Sequence, residues 1–93
     1  MAKKARSVLD ALRDANPRAP EDALRAYASA LRDYVAAERN VAEHGAIVFH
    51  PRTGAPVENP FLTVRERCAA TMSRCKLRET REAWELAASP DST

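Results

Sequence analysis

The chain has little of what many enzymes and membrane proteins depend on. Among its 93 residues, aromatics make up only 5%, and there are two glycines, two cysteines and one tryptophan. Phosphate-cradling loops need glycine because the backbone must approach the ligand closely, and Gly45 and Gly54 alone cannot build a mononucleotide or dinucleotide loop. Cys68 and Cys75 do not make a disulfide framework. On a helix they would lie about 10 Å apart along the axis, beyond the reach of one bridge, so they read as reduced thiols. No apolar run approaches the roughly 20 residues needed to cross a bilayer. The opening MAKKARSVLDALRD has basic residues but not the uninterrupted apolar stretch of a secretory signal. A cytoplasmic protein is expected.

What the chain does have is alanine, charge and helical periodicity. Apolar residues are 45% of it, but alanine supplies much of that share, and alanine favours helix while adding little burial. A short chain buries only a modest fraction of its surface, and such chains often complete their cores by self-association. The net charge of +2 does not by itself mark a nucleic-acid binder. Its distribution is uneven. Residues 1–19 carry Lys3, Lys4, Arg6, Arg13 and Arg18 against Asp10 and Asp14, a net of +3, while residues 20–45 come to −2.

Ser7 is a suitable N-cap for a short helix reaching about Asn16, with Asp10 in the place of the usual capping-box glutamate. Asn16-Pro17-Arg18-Ala19-Pro20 breaks it, because each proline disfavours helix in the residue before it. Pro20 suits the first position of a second helix, and Glu21 and Asp22 sit where negative charge meets the positive end of the dipole. Leu24, Tyr27, Ala28, Leu31, Tyr34, Val35, Val41 and Ala42 then follow helical steps until Gly45 stops the helix as a left-handed residue. Its length is about 25 residues and roughly 37 Å, too long for the first segment alone to cover.

Ile47-Val48-Phe49 is a short β-type run, Pro51-Arg52-Thr53-Gly54 signals a turn, and Ala55-Pro56-Val57-Glu58 can pair back within the limit set by Pro56. An extended loop or a minimal hairpin is expected. Asn59-Pro60 opens another helix to about Lys76, with Phe61, Val64, Cys68, Met72 and Cys75 as its stripe, widened by Leu62 and Ala69. Arg78 to Ala88 holds Trp84 and an (i, i+4) pair, Arg81 and Glu85. The fold class is therefore all-α: an antiparallel helical hairpin with short flanking helices and a brief extended or β-hairpin connector. Three parts are expected, a basic arm over 1–19, a hairpin core over 20–77, and a C-terminal helix and tail over 78–93. Leu24, Tyr27, Leu31, Tyr34, Val35 and Val41 are the expected contacts between copies, since one seam does not cover so broad a stripe.

No catalytic or metal centre emerges. His44, His50, Cys68 and Cys75 have spacings unlike those of common zinc sites. Cys68 and Cys75 share an apolar stripe with Met72, where a thiol behaves as a small hydrophobe. Neighbouring carboxylates such as Glu82 and Glu85 read as solvated charge. No cofactor is expected. The arm residues Lys3, Lys4, Arg6, Arg13 and Arg18 have two open readings, a solubilising terminus or a set of phosphate contacts that read no bases. The later basic residues are interleaved with glutamates and read as ion-pair networks or a subunit contact. Trp84 either packs on the hairpin or docks a partner.

From Asp33-Tyr34 to Pro60 the order is distinctive: Ala42-Glu43-His44-Gly45 ends a long helix, Ala46-Ile47-Val48 and a Thr53-Gly54 turn follow, and Glu58-Asn59-Pro60 opens an arginine-rich helix. With Tyr27-Ala28 and Leu31 upstream, this resembles the small-terminase family of tailed phages and related gene transfer agents over roughly residues 24–88. The resemblance implies a non-enzymatic, ring-forming subunit in the host cytoplasm that engages double-stranded DNA and recruits or regulates the large terminase subunit, with no membrane partner. Many such proteins carry a helix-turn-helix domain before the hairpin. Here only about 19 residues precede it, so the DNA contact expected is weak and nonspecific. Two rival readings are a small helical DNA-binding regulator, such as an antitoxin or repressor dimer, and a ring-shaped structural adaptor of the virion.

Overall fold

The first helix forms because its start, its face and its stop agree. In the computed structural model, which describes residues 6–89, α1 spans Val8–Ala15. The Ser7 hydroxyl accepts from the Asp10 N–H at 3.0 Å and the Asp10 carboxylate accepts from the Ser7 N–H at 3.1 Å, a complete capping box. The backbone bond from Ser7, followed by its hydroxyl, holds the Asp10 carboxyl below its usual pKa. A depressed carboxylate pKa contributes stability that is complete above the ordinary value near 3.8 and is lost as pH falls through the folded value. Ser7→Ala is expected to cost about 1 kcal/mol. The destabilisation caused by Asp10→Ala should shrink on acidification, which urea melts at pH 7 and pH 3 would check.

Helix α2 spans Glu21–His44, with Pro20 as its N-cap residue, and ends at Gly45. Gly45 has the expected positive φ of +87°, but ψ is 170°. Its N–H still closes the last turn on the Val41 carbonyl at 2.7 Å, while the extended ψ sends the chain straight into a strand. Strands β1 (Ile47–Phe49) and β2 (Pro56–Glu58) form the minimal antiparallel hairpin, pairing Ile47 with Glu58, Val48 with Val57, and Phe49 with Pro56.

Helix α3 spans Phe61–Cys75, and its cap comes from Asn59, whose Oδ1 accepts from the Phe61 N–H at 3.0 Å. The same side chain donates to Asn40 Oδ1 at 3.0 Å and to the Gly45 carbonyl at 2.9 Å. Thus one buried amide fastens the end of α2 to the start of α3. Helix α3 then runs back along α2, with the Arg65–Glu38 ion pair near the hairpin end. Of its expected stripe only Cys68 is fully buried; Leu62, Val64, Met72 and Cys75 are half-buried, and Phe61 and Ala69 are exposed. The reason is that α3 lies at the rim with α2 as its main neighbour.

Helix α4 (Arg81–Ala88) folds back onto the first half of α2, capped by the Thr80 hydroxyl. The core sits there. Val8, Ala11 and Leu12 of α1, Leu24, Tyr27, Ala28 and Leu31 of α2, and Ala83 and Ala87 of α4 form one buried cluster. The expected first and last parts of the chain therefore share a core with the start of the middle one. Asn16 seals this end: its side-chain amide donates to the Arg78 carbonyl at 3.1 Å and accepts from the Arg78 N–H at 2.7 Å.

Candidate functional site

Two of the five arm residues serve the fold directly. The Arg6 guanidinium reaches Asp14 at 2.6 Å and Glu82 at 2.9 Å, tying α1 to α4; the bond to Asp14, then the nearby carboxylates, raise its pKa. Arg13 grips both Glu21 oxygens at 2.8 and 3.0 Å, tying α1 to α2. Lys3 and Lys4 lie outside the described residues. Arg18 is exposed on the turn before α2 and, among the described residues, has no carboxylate within ion-pair distance.

A second basic feature was readable in the sequence but not singled out there. Arg18, Arg25, Arg32 and Arg39 recur at every seventh position, and the last three lie on one face of α2, about 21 Å from end to end. Arg25 shares Glu21 with Arg13, at 3.1 Å. Arg32 and Arg39 have no carboxylate within ion-pair distance among the described residues; Arg39 is exposed and Arg32 half-buried. The period was the available signal; a count of net charge conceals it, because acidic residues alternate along the same helix.

The residues expected between copies divide into two groups. Leu24, Tyr27 and Leu31 are buried in the protomer's own core, which corrects that expectation: α1 and α4 cover them, so with α4 seated on its own chain they offer a second copy no surface. Burial, then the nearby Glu79 and Cys75, raise the pKa of the Tyr27 phenol, keeping it neutral. Tyr34, Val35 and Val41 are half-buried and retain some surface. The large exposed apolar groups lie elsewhere, at the hairpin and the start of α3: Ile47 is 57% and Phe49 70% exposed, with Val57 and Phe61 nearer 40%. Ile47 and Phe49 alternate onto one face of β1. The sequence marked them as strand residues, but nothing local tells which strand face stays uncovered.

Trp84 packs edge-on against Tyr34, with ring centroids 5.6 Å apart and planes at 86°, and its indole N–H donates to Glu79 at 2.8 Å. It is half-buried and lines a cleft of about 330 Å³ with Tyr27, Tyr34, Met72 and Leu77. The Cys68 thiol is buried, and that burial, then Asp33, pushes its pKa up, the opposite of what a nucleophile needs. His50 accepts from the Arg52 N–H through Nδ1 at 3.1 Å. Among the described residues, no three His, Cys, Asp or Glu side chains gather as metal ligands, and no helix is long and apolar enough to cross a membrane.

Residues 3–78 match the family model for the phage terminase small subunit. The match runs from the arm through α1, α2, the β-hairpin and α3, and stops before α4. No curated protein and no solved structure matches the chain.

Proposed function

The chain belongs to the phage terminase small-subunit family, and from that premise we propose that it acts as the ring-forming, non-enzymatic small subunit of a viral-type DNA-packaging motor. In this reading the ring engages duplex DNA weakly and without sequence preference, and recruits or regulates the large subunit that carries the ATPase and nuclease. The observation that carries the assembly is the surface of one protomer. It exposes 6821 Å², where a compact chain of 93 residues exposes about 5,400 Å². Its radius of gyration is 15.7 Å against about 12 Å for a compact fold of this length. Surface of that extent, with apolar groups at the hairpin, is suited to being covered by copies of the same chain. Light scattering coupled to size exclusion is expected to give eight or more copies. A stable monomer at high dilution would remove the ring, and a dimer would favour the helical regulator.

For DNA, the exposed Arg18 and Arg39 and the half-buried Arg32 join Lys3 and Lys4 as proposed phosphate contacts, while Arg6 and Arg13 hold the fold. Five phosphate contacts per bound unit predict an affinity about 500-fold weaker at 200 mM than at 50 mM salt. A titration with duplex DNA at both concentrations checks this, and binding that is absent or indifferent to salt defeats it. Trp84, with the half-open cleft beside it, is the proposed docking point for the large subunit. Pull-down of the large subunit by the native chain, weakened by Trp84→Ala, separates this role from that of a structural adaptor of the virion.

A further inference from the structure

Residues 76–80, Lys-Leu-Arg-Glu-Thr, join α3 to α4 outside any helix. They contain no glycine or proline, and lysine, leucine, arginine and glutamate are all good helix formers. Local preference and observed structure therefore conflict over residues 76–79, and only Thr80, the cap of α4, favours the break locally. Two features hold the break. Lys76 adopts φ 52° and ψ 41°, the only positive φ at a non-glycine among the described residues, a conformation that L-residues disfavour by roughly tenfold. Asn16 occupies both the N–H and the carbonyl of Arg78, the groups a helix continued through this point would use for itself. Beyond the break, α4 has eight residues, too few to be a stable helix alone. It is seated by the small side chains of Ala83 and Ala87, by the Arg6–Glu82 pair and by Trp84 on Tyr34.

We propose that residues 76–80 are a hinge through which α4 exchanges between copies of the chain. With Lys76 right-handed and Arg78 released from Asn16, α3 and α4 become one continuous helix of about 42 Å. This carries α4 away from its own groove and into the same groove of a neighbour. The occupant is a second copy because the groove is already fitted to this segment. Exchange restores the seats of Ala83 and Ala87, the Arg6–Glu82 pair and the Trp84–Tyr34 contact. It gives up the Asn16–Arg78 bonds and the Thr80 cap, and relieves the left-handed lysine. The exchange rests on the oligomeric reading above, and its test separates the two.

Arg6→Lys places an amine beside the Glu82 carboxylate, where a zero-length carbodiimide joins them as an amide. Unlabelled and ¹⁵N-labelled Arg6→Lys chains are refolded together in equal amounts, coupled, digested and read by mass spectrometry. Exchange predicts that about half of the coupled peptides pair one labelled with one unlabelled partner. Lys76→Gly, which takes the left-handed conformation without strain, should lower that mixed fraction about fivefold. An oligomer whose coupled peptides are all of one isotope overturns the exchange and leaves the ring standing. A monomer with only single-isotope pairs overturns both. Failure to couple at this pair, or a mixed fraction indifferent to Lys76→Gly, also overturns the hinge.

Discussion

Replacing Asn59 with alanine is expected to lower the unfolding free energy by about 3 kcal/mol, read as a fall in the urea midpoint with little change in slope. Asn59 is only 2% exposed and is the one buried polar side chain of the described core. Its carboxamide makes three hydrogen bonds that span the turn of the helical hairpin: to Asn40 in α2, to the Gly45 carbonyl that ends α2, and from the Phe61 N–H that begins α3. Loss of a cap alone costs about 1 kcal/mol. Here truncation also strands the Gly45 carbonyl and the Asn40 amide in a part-buried site, and each unsatisfied group adds roughly 1 kcal/mol or more. Asn59→Asp keeps the cap to Phe61 but turns an oxygen toward the Gly45 carbonyl, which has no donor to offer. It should therefore recover only part of the loss. If both variants melt with the wild type, the amide is not what fastens the two helices.

The same residue shows how far local signals reach. Asn59-Pro60 announced a helix start from sequence alone because a cap acts within three residues, and so did Ser7 with Asp10. The second task of Asn59 was hidden, since Asn40 lies 19 residues away and only the completed turn brings them together. Helix length, the stop at Gly45, the hairpin connector and the Arg81–Glu85 pair were all legible for the same local reason. The Thr80 cap on Ala83 was equally local, and the signal was present without being used.

What the sequence withheld was the return of α4. Asn16 and Arg78 are 62 residues apart, and nothing in either neighbourhood marks them as partners. Without that contact, periodicity identified Leu24, Tyr27 and Leu31 as apolar but left open what covers them, and a second copy looked necessary. The chain supplies the cover itself through α1 and α4. The basic arm misled in a related way. Charge was counted along the sequence, whereas Arg6 is neutralised by Glu82 from the far end of the chain. The most exposed large apolar groups are accordingly Ile47 and Phe49 on the hairpin, and Arg25 and Arg39 are exposed on α2, while Tyr34, Val35 and Val41 of the stripe keep part of their surface.

Leu31→Ala tests that reassignment directly and should be among the most damaging single changes, at about 2–5 kcal/mol. Leu31 is fully buried where α1 and α4 meet on α2, so truncation removes its contacts and leaves a cavity that the neighbouring helices only partly close. Small domains have about 5–15 kcal/mol of stability in total, so a large part of it is at stake. Leu31→Met, which conserves volume, should cost less than about 1.5 kcal/mol. The decisive feature is how the loss depends on protein concentration. A residue inside one protomer gives the same difference from wild type across a hundredfold range of concentration, with the oligomeric mass unchanged in the folded baseline. A residue between copies gives a difference that grows on dilution and a mass that falls with it, because association then contributes to the measured stability. With α4 held on its own chain by Lys76→Gly the first pattern is expected, and the second in that background would return Leu31 to the surface between subunits. Exchange of α4 in the native chain adds a concentration-dependent part, because Leu31 then packs against a neighbour's α4.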